Sequence, residues 1–146
     1  MNAGLNQPEK RILALDYGTV RIGVALSDER HVFATPLCVC INKKDVLDEI
    51  ERIIEKNNVE KIIVGLPISV DGSDSPMTVR VRAFADHLHE RTSLPVELYD
   101  ERYTSLLAHD SLIASGKTRK ARQKKGELDK RAAAILLQEY LDGNKA

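Results

Sequence analysis

The sequence has no excess of charge of either sign, no long apolar run and few aromatic residues. Its 22 Lys and Arg residues balance 22 Asp and Glu residues, which argues against a histone-like protein that coats nucleic acid through its total charge. No apolar run approaches the roughly 20 residues that span a bilayer, and the polar first ten residues lack the apolar segment of a secretion signal. With 42% hydrophobic and 30% charged residues, the composition is typical of a folded globular protein.

Cysteine is nearly absent: Cys38 and Cys40 stand one residue apart in an apolar stretch. At that spacing in a strand both side chains point to the same face, and neighbours along one strand are poor disulfide partners. No further Cys or His nearby completes a metal site. We therefore expect two buried, reduced thiols and a location in the cytoplasm.

The 146 residues suit one domain, which we place at residues 11–142 after a flexible tail at 1–10. The first part predicts three antiparallel strands with short connections. The second part alternates helices and strands, which indicates parallel pairing through right-handed crossovers. The predicted strands are 11–15, 21–27, 32–41, 61–66 and 95–99, and the predicted helices are 45–56, 77–88, 104–115 and 128–141. Pro36 interrupts the third strand and predicts an edge position or a bend.

Three acidic positions are candidates for a catalytic site. Asp16 ends the first apolar strand, where open α/β sheets place their sites, although a turn-forming Asp is an alternative. Asp100 and Glu101 end the last predicted strand. Asp129 begins the last helix and shares a face with Ala133, although an Asp in a first turn also stabilises the helix dipole.

Inward-pointing carboxylates without Cys or His favour a hard divalent cation, Mg²⁺ or Mn²⁺. A pair of such ions about 4 Å apart would activate a water and stabilise the leaving oxygen in phosphodiester hydrolysis. Histidine catalysis is less well supported, because His31, His87, His89 and His109 have no Ser or Cys partner in a recognisable motif. We expect each of them to be a surface or half-buried residue.

A basic stretch precedes the last helix, and we predict a mobile loop at residues 117–127. Its six basic residues, with no acid among them, are Lys117, Arg119, Lys120, Arg122, Lys124 and Lys125. Such a run is commonly a solvated loop, but here it lies just before Asp129 and would bring phosphate-binding charge beside the acidic site. Arg102 could contact a phosphate in the same groove. Few aromatic residues accompany these bases, so contacts to the nucleic-acid backbone are expected.

Five motifs together resemble one protein family. They are Leu15-Asp16-Tyr17-Gly18-Thr19, Gly23-Val24-Ala25-Leu26-Ser27-Asp28, Gly65-Leu66-Pro67 with Asp71-Gly72, Asp100-Glu101-Arg102-Tyr103-Thr104, and Asp129-Lys130 followed by residues 132–141. Their order and spacing closely resemble the YqgF family, bacterial RuvC-like proteins of the ribonuclease H-like superfamily. Members are described as Holliday junction resolvases and as pre-16S rRNA nucleases, and the resemblance covers residues 11–141.

The resemblance implies a ribonuclease H-like α/β fold, with a five-stranded mixed sheet of order 3-2-1-4-5 flanked by helices. It also implies a metal-dependent nuclease that acts in 5′-end processing of pre-16S rRNA in the cytoplasm. Carried over by motif, the catalytic and metal-binding acids are Asp16, Glu101 and Asp129. Asp100 is the reserve acid, because only one of two adjacent strand residues can face the site. The chain departs from the family at Tyr103, and its Gly65-Leu66-Pro67 segment lacks the acid that many related nucleases have there.

Other functions fit the same residues. The first alternative is a Holliday junction resolvase on branched DNA, which would favour a dimer because it cuts two strands symmetrically. The segment Asp16-Tyr17-Gly18-Thr19 also resembles the phosphate loop of actin-like ATPases, so a nucleotide-binding or non-catalytic assembly factor is a second alternative. The expected partners are pre-rRNA or branched DNA, with ribosomal precursor particles. We expect a monomer or a weak homodimer.

Overall fold

The computed structural model describes residues 10–66, 75–100 and 125–143, with side chains in the last range from Lys130 onward. Within these ranges the elements are β1 (Arg11–Tyr17), β2 (Arg21–Ser27), β3 (Ala34–Ile41), α1 (Val46–Asn57), β4 (Val59–Leu66), α2 (Pro76–Thr92), β5 (Val96–Asp100) and α3 (Lys125–Gly143). The predicted helix at 104–115 lies outside the described residues. In the described part of the chain, no helix is long and apolar enough to cross a membrane.

The five strands form one mixed sheet of order β3-β2-β1-β4-β5, which confirms the predicted order. The pairs β1–β2 and β2–β3 are antiparallel because short turns join them, and β1–β4 and β4–β5 are parallel because α1 and α2 connect them. As Pro36 predicted, β3 is an edge strand. Val24 pairs with Cys38 and Ala25 with Pro36, so Leu37 is the extra residue of a β-bulge.

Alternate residues of the central strands pack into two separate cores. On β1, Leu13 and Leu15 face the core that α1 and α2 cover. Ile12 and Ala14 face the core that α3 covers, with its buried Leu136. Each side chain of β1 is thereby assigned to one face of the sheet.

Local sequence signals set the ends of α1 and α2. Ser75 caps α2 through a capping box with Thr78, and Pro76 occupies the first turn, where its missing N–H costs nothing. The α1 helix ends at Asn58, which has a φ of 57° and donates its N–H to the carbonyl of Ile54. The predicted apolar faces of both helices are buried.

The α3 helix begins earlier than predicted. It starts at Lys125, so residues 125–127 of the predicted mobile loop belong to the helix. Lys and Glu are good helix formers, but the apolar periodicity used to predict the start begins only at Leu128. Its buried residues are Ala133, Leu136, Leu137, Tyr140 and Leu141.

Both cysteines are free, as predicted, and Cys40 is buried; the prediction of burial is wrong for Cys38, which is half-buried because it lies on the edge strand. A hydrogen bond between the two thiols lowers the pKa of Cys38 to about 7 and raises the pKa of Cys40. The two side chains pack on the α1 face.

Candidate active site

Asp16 is the predicted catalytic acid that the structure describes most fully. It is the penultimate residue of β1 and half-buried. Because side chains alternate along a strand, Asp16 lies on the same face as Ala14 and Ile12, the face that α3 covers. It thus stands at the C-terminal end of a central strand, as the sequence predicted, where α/β sheets bind their ligands.

Glycine occupies the neighbouring position on each side of Asp16. Gly23 of β2 is its direct partner. On β4, Val64 pairs with Leu15, so the next residue, Gly65, stands beside Asp16. Glycine inside a strand commonly marks a place where a ligand approaches the backbone closely. We call the row Gly23, Asp16 and Gly65 the glycine row; no side chain projects from the strand position on either side of Asp16.

Tyr99 of β5 extends this row, because it pairs with Gly65. Burial raises the pKa of Tyr99, and the charges of Glu139 and Asp100 raise it further. Its ring meets that of Tyr140 edge-on, with 6.1 Å between centroids. The phenol therefore stays protonated and able to donate a hydrogen bond at neutral pH.

Asp100, the reserve acid, lies on the other face of the sheet. It pairs with Leu66 and follows Leu98 by two residues, and both leucines pack in the core of α1 and α2. By strand alternation the side chain of Asp100 points away from the Asp16 face. Glu101 lies outside the described residues.

The first turn of α3 lies at the Asp16 end of the sheet. The other end of α3 is fixed by Leu141, which lines a surface cleft together with Ile12. At 1.5 Å per residue, the helix from Leu141 back to Asp129 covers about 18 Å, and β1 from Ile12 to Asp16 covers about 13 Å. The helix is therefore long enough for the backbone of Asp129 to reach the level of Asp16, whereas the side chain of Asp129 lies outside the described part.

Most of the predicted nucleic-acid-binding residues lie outside the part of the chain that the structure describes. Arg102 and the bases at positions 117, 119, 120, 122 and 124 lie outside the described ranges, and Lys125 is described only as the first residue of α3. In the described ranges no three Cys, His, Asp or Glu side chains converge on a metal position. Of the three predicted ligands, only the Asp16 side chain falls within those ranges.

Sequence reasoning missed a polar cluster at the opposite end of the sheet. Lys61 contacts Glu97 at 2.8 Å and the hydroxyl of Tyr140, and these partners raise its pKa. A cleft of about 380 Å³ opens beside this cluster. His31 lines it in a left-handed turn, with a φ of 59°, and is half-buried as expected. Lys61 and Glu97 lie on different strands, and only the parallel pairing of those strands brings them together.

The fold and the placement of Asp16 define the class of the protein. The sheet and helices match those of RuvC from Thermus thermophilus in complex with a Holliday junction substrate, with a TM-score of 0.54 and 12% identity over 92% of this chain and 94% of that chain. They also match a fowlpox virus resolvase bound to Holliday junction DNA, with a TM-score of 0.53 and 17% identity over 91% of this chain and 97% of that chain. The chain therefore has the RuvC-like, ribonuclease H-like fold.

Sequence comparison narrows the class to one family. The model of the RuvX family, described as Holliday junction resolvase, matches residues 10–143, and the chain belongs to this family. A relative from Chlorobium phaeobacteroides is 44% identical over 92% of this chain and 94% of its own length. Another from Maridesulfovibrio salexigens is 40% identical over 90% of this chain and 97% of its own length. Both are named "Putative pre-16S rRNA nuclease".

Proposed function

We propose that the protein is a metal-dependent nuclease that hydrolyses phosphodiester bonds in the 5′-end processing of precursor 16S rRNA. The observation that carries the proposal is the glycine row, which places a carboxylate at the end of a central strand with a glycine on each side. The names of relatives that span nearly the whole chain support the substrate. Such an enzyme would meet precursor ribosomal particles in the cytoplasm, where we propose that it acts.

Three acids form the proposed metal site: Asp16, Glu101 and Asp129. Carboxylate oxygens suit Mg²⁺ or Mn²⁺, and Asp16 stands near the end of β1 between two glycines. The opposite orientation of Asp100 supports Glu101 as the acid of that pair. When bound, the metal would activate water and stabilise the charge that develops on the phosphate.

We assign the binding of the phosphate backbone to the basic segment. Its members are Lys117, Arg119, Lys120, Arg122, Lys124 and Lys125, and we assign a further phosphate contact in the same groove to Arg102. The segment leads directly into the first turn of α3, which reaches the level of Asp16. Neutralising Lys124 and Lys125 together should weaken binding and reduce its salt dependence by about two counterions. An unchanged salt slope would show that the segment is a solvated tether.

Branched DNA is the second candidate substrate. It is favoured by the description of the matching family as Holliday junction resolvase. Precursor rRNA requires one cut near a defined end, whereas a four-way junction requires two symmetric cuts. The two substrates can therefore be separated by direct comparison on the same enzyme.

The test measures cleavage of a precursor rRNA fragment and of a four-way DNA junction, with Mg²⁺, with Mn²⁺ and with a chelator. We expect Asp16→Asn, Glu101→Gln and Asp129→Asn each to lower the rate about 100-fold or more, since even residues behind a metal ligand contribute 10- to 100-fold. Asp100→Asn is the matched control and should retain activity. Equal cleavage by folded Asp16→Asn would exclude the proposed site, whereas no cleavage of either substrate by the wild type would favour a non-catalytic assembly factor.

A further inference from the structure

An arginine lies beside Asp16 on the same face of the sheet. Arg21 is the first residue of β2 and is half-buried. Because Gly23 is the direct partner of Asp16 and side chains alternate along a strand, Arg21 faces the same side as Gly23 and Asp16. Ala25, two residues beyond Gly23, packs in the α3 core, in agreement with this assignment. Arg21 therefore adds a positive charge at the end of the sheet where the candidate acid stands.

The distance between Arg21 and Asp16 suits a shared ligand. Tyr17 pairs with Ile22, so the next residue of the chain, Gly18, lies opposite Arg21. In agreement with this, a Cβ atom added to Gly18 would lie 2.4 Å from the carbonyl oxygen of Arg21. Asp16 and Arg21 are then diagonal neighbours, about 7–8 Å apart, a separation that long side chains can span. A phosphate bound next to Asp16 is thus within reach of the guanidinium.

Two lysines follow β3 at this same end of the sheet. Because β2 is antiparallel to both β1 and β3, β3 ends on the side where β1 ends. The next residue, Asn42, is tied to the turn between β1 and β2. Its backbone N–H donates to the carbonyl of Val20 at 2.9 Å, and its side-chain amide donates to the carbonyl of Gly18 at 2.8 Å. Lys43 and Lys44 come directly after it and are exposed.

The charge of these lysines is only partly offset by nearby acids. Within the ranges that the structure describes, neither Lys43 nor Lys44 forms an ion pair. Asp45 follows them in the sequence and offsets one charge, whereas Asp48, in the first turn of α1, pairs with Arg91. The surface at this end of β3 therefore remains basic.

We propose that Arg21, Lys43 and Lys44 form a second phosphate-binding surface, the β3-side surface, which holds the nucleic-acid backbone next to Asp16. β3 lies two strand spacings from β1, about 10 Å, and one strand of a duplex carries a phosphate about every 3.4 Å along its axis. The three bases can therefore contact neighbouring phosphates of one strand. They belong to a different part of the chain from the basic segment. The proposal rests on the proposed function and deepens it, because it states how the substrate of that site is held.

Binding measured without cleavage tests the contribution of Arg21. The parent protein is the full chain with Asp16→Asn, and the probe is a precursor rRNA fragment or a four-way DNA junction, whichever binds the parent more tightly. Kd is measured with a chelator at several salt concentrations. Adding Arg21→Gln should raise Kd about tenfold or more, because arginine makes charge-assisted hydrogen bonds to phosphate, and should lower the salt slope by about one counterion. Arg21→Lys should keep the slope but lose part of the affinity.

The lysines are tested in the same parent. Adding Lys43→Gln together with Lys44→Gln should weaken binding and lower the salt slope by about two counterions. The matched control is Arg52→Gln together with Lys56→Gln, which removes two exposed positive charges from the second half of α1. This control should bind like the parent.

The parent also separates phosphate binding from a structural role. An arginine that only neutralised Asp16 would have no effect in a parent without that charge, so unchanged binding by folded Arg21→Gln overturns the proposal. An unchanged salt slope in the lysine variant, an equal loss in the control, or a parent that binds neither probe also overturns it. Should Arg21→Gln fail to fold by circular dichroism, the exposed lysines still decide the outcome. The assay involves no cleavage, so a protein that shows these slopes but cuts neither substrate would refute the nuclease proposal and leave the β3-side surface standing.

Discussion

Replacing Gln138 with Ala tests the contact that holds α3 against the start of β3. The Gln138 side chain acts as a neighbouring strand would: its Oε1 accepts the N–H of Ala34 at 2.9 Å, and its Nε2 donates to the carbonyl of Val32 at 2.9 Å. A hydrogen bond of this kind contributes about 1 kcal/mol net, so loss of both should lower the free energy of unfolding by about 2 kcal/mol. In a domain of this size that corresponds to a fall in Tm of about 4–8 °C.

Two further variants make the Gln138 measurement specific. Gln138→Glu keeps an acceptor for Ala34 but sets a carboxylate against the carbonyl of Val32 and against Asp142, to which the amide donates at 3.0 Å. We expect it to lower Tm at least as much as Gln138→Ala. Arg131→Ala, on the exposed side of the same helix, should change stability by less than about 0.5 kcal/mol. Thermal unfolding followed by circular dichroism measures all three, and a Tm for Gln138→Ala equal to that of Arg131→Ala would refute the reasoning.

Three other predictions follow from single positions. Gly65→Ala should slow cleavage, because it adds a methyl group in the strand position next to Asp16, where glycine lets a ligand approach the backbone closely; kinetics and thermal unfolding measured in parallel separate this effect from a loss of stability. Gly18→Ala should lower Tm, because the added methyl group would lie 2.4 Å from the carbonyl oxygen of Arg21, whereas Gly143→Ala, with nothing within 4 Å, should not. The N–H groups of Phe33 and Val32, at 2.9 and 2.7 Å from Asp28, hold its pKa below the usual value. Asp28 therefore stabilises the fold above about pH 4, and this contribution is lost as the pH falls through the folded-state pKa. Denaturant unfolding at several pH values should show the advantage of wild type over Asp28→Ala shrinking in acid, and a constant difference would contradict the argument.

Much of the fold could be predicted because each element has a strong local signal. The apolar stripe of α1, the buried run of β4 and the edge position of Pro36 all follow from residue periodicity and backbone chemistry. The bulge at Leu37 could not be predicted, because it depends on how β3 pairs with β2. The start of α3 at Lys125 could not be predicted, because Lys125 and Glu127 do not extend the periodic pattern of apolar residues.

The sequence predicted which acids are candidates for the site, but it did not predict how their side chains are arranged. Asp16 could be chosen because it ends an apolar strand. The orientation of Asp100 could not be predicted, because it depends on the register of β5 against β4, which pairs Asp100 with Leu66. The position of Gly65 next to Asp16 also depends on strand register, because the two residues are far apart in the sequence.

The cluster of Lys61, Glu97 and Tyr140 has a consequence for the helix above it. Together with Gln138, this cluster bonds the C-terminal half of α3 to β3, β4 and β5 and to Val32, just before β3. Because these bonds fix the C-terminal half of α3 against the starts of β3, β4 and β5, they also set the direction in which the helix crosses the sheet.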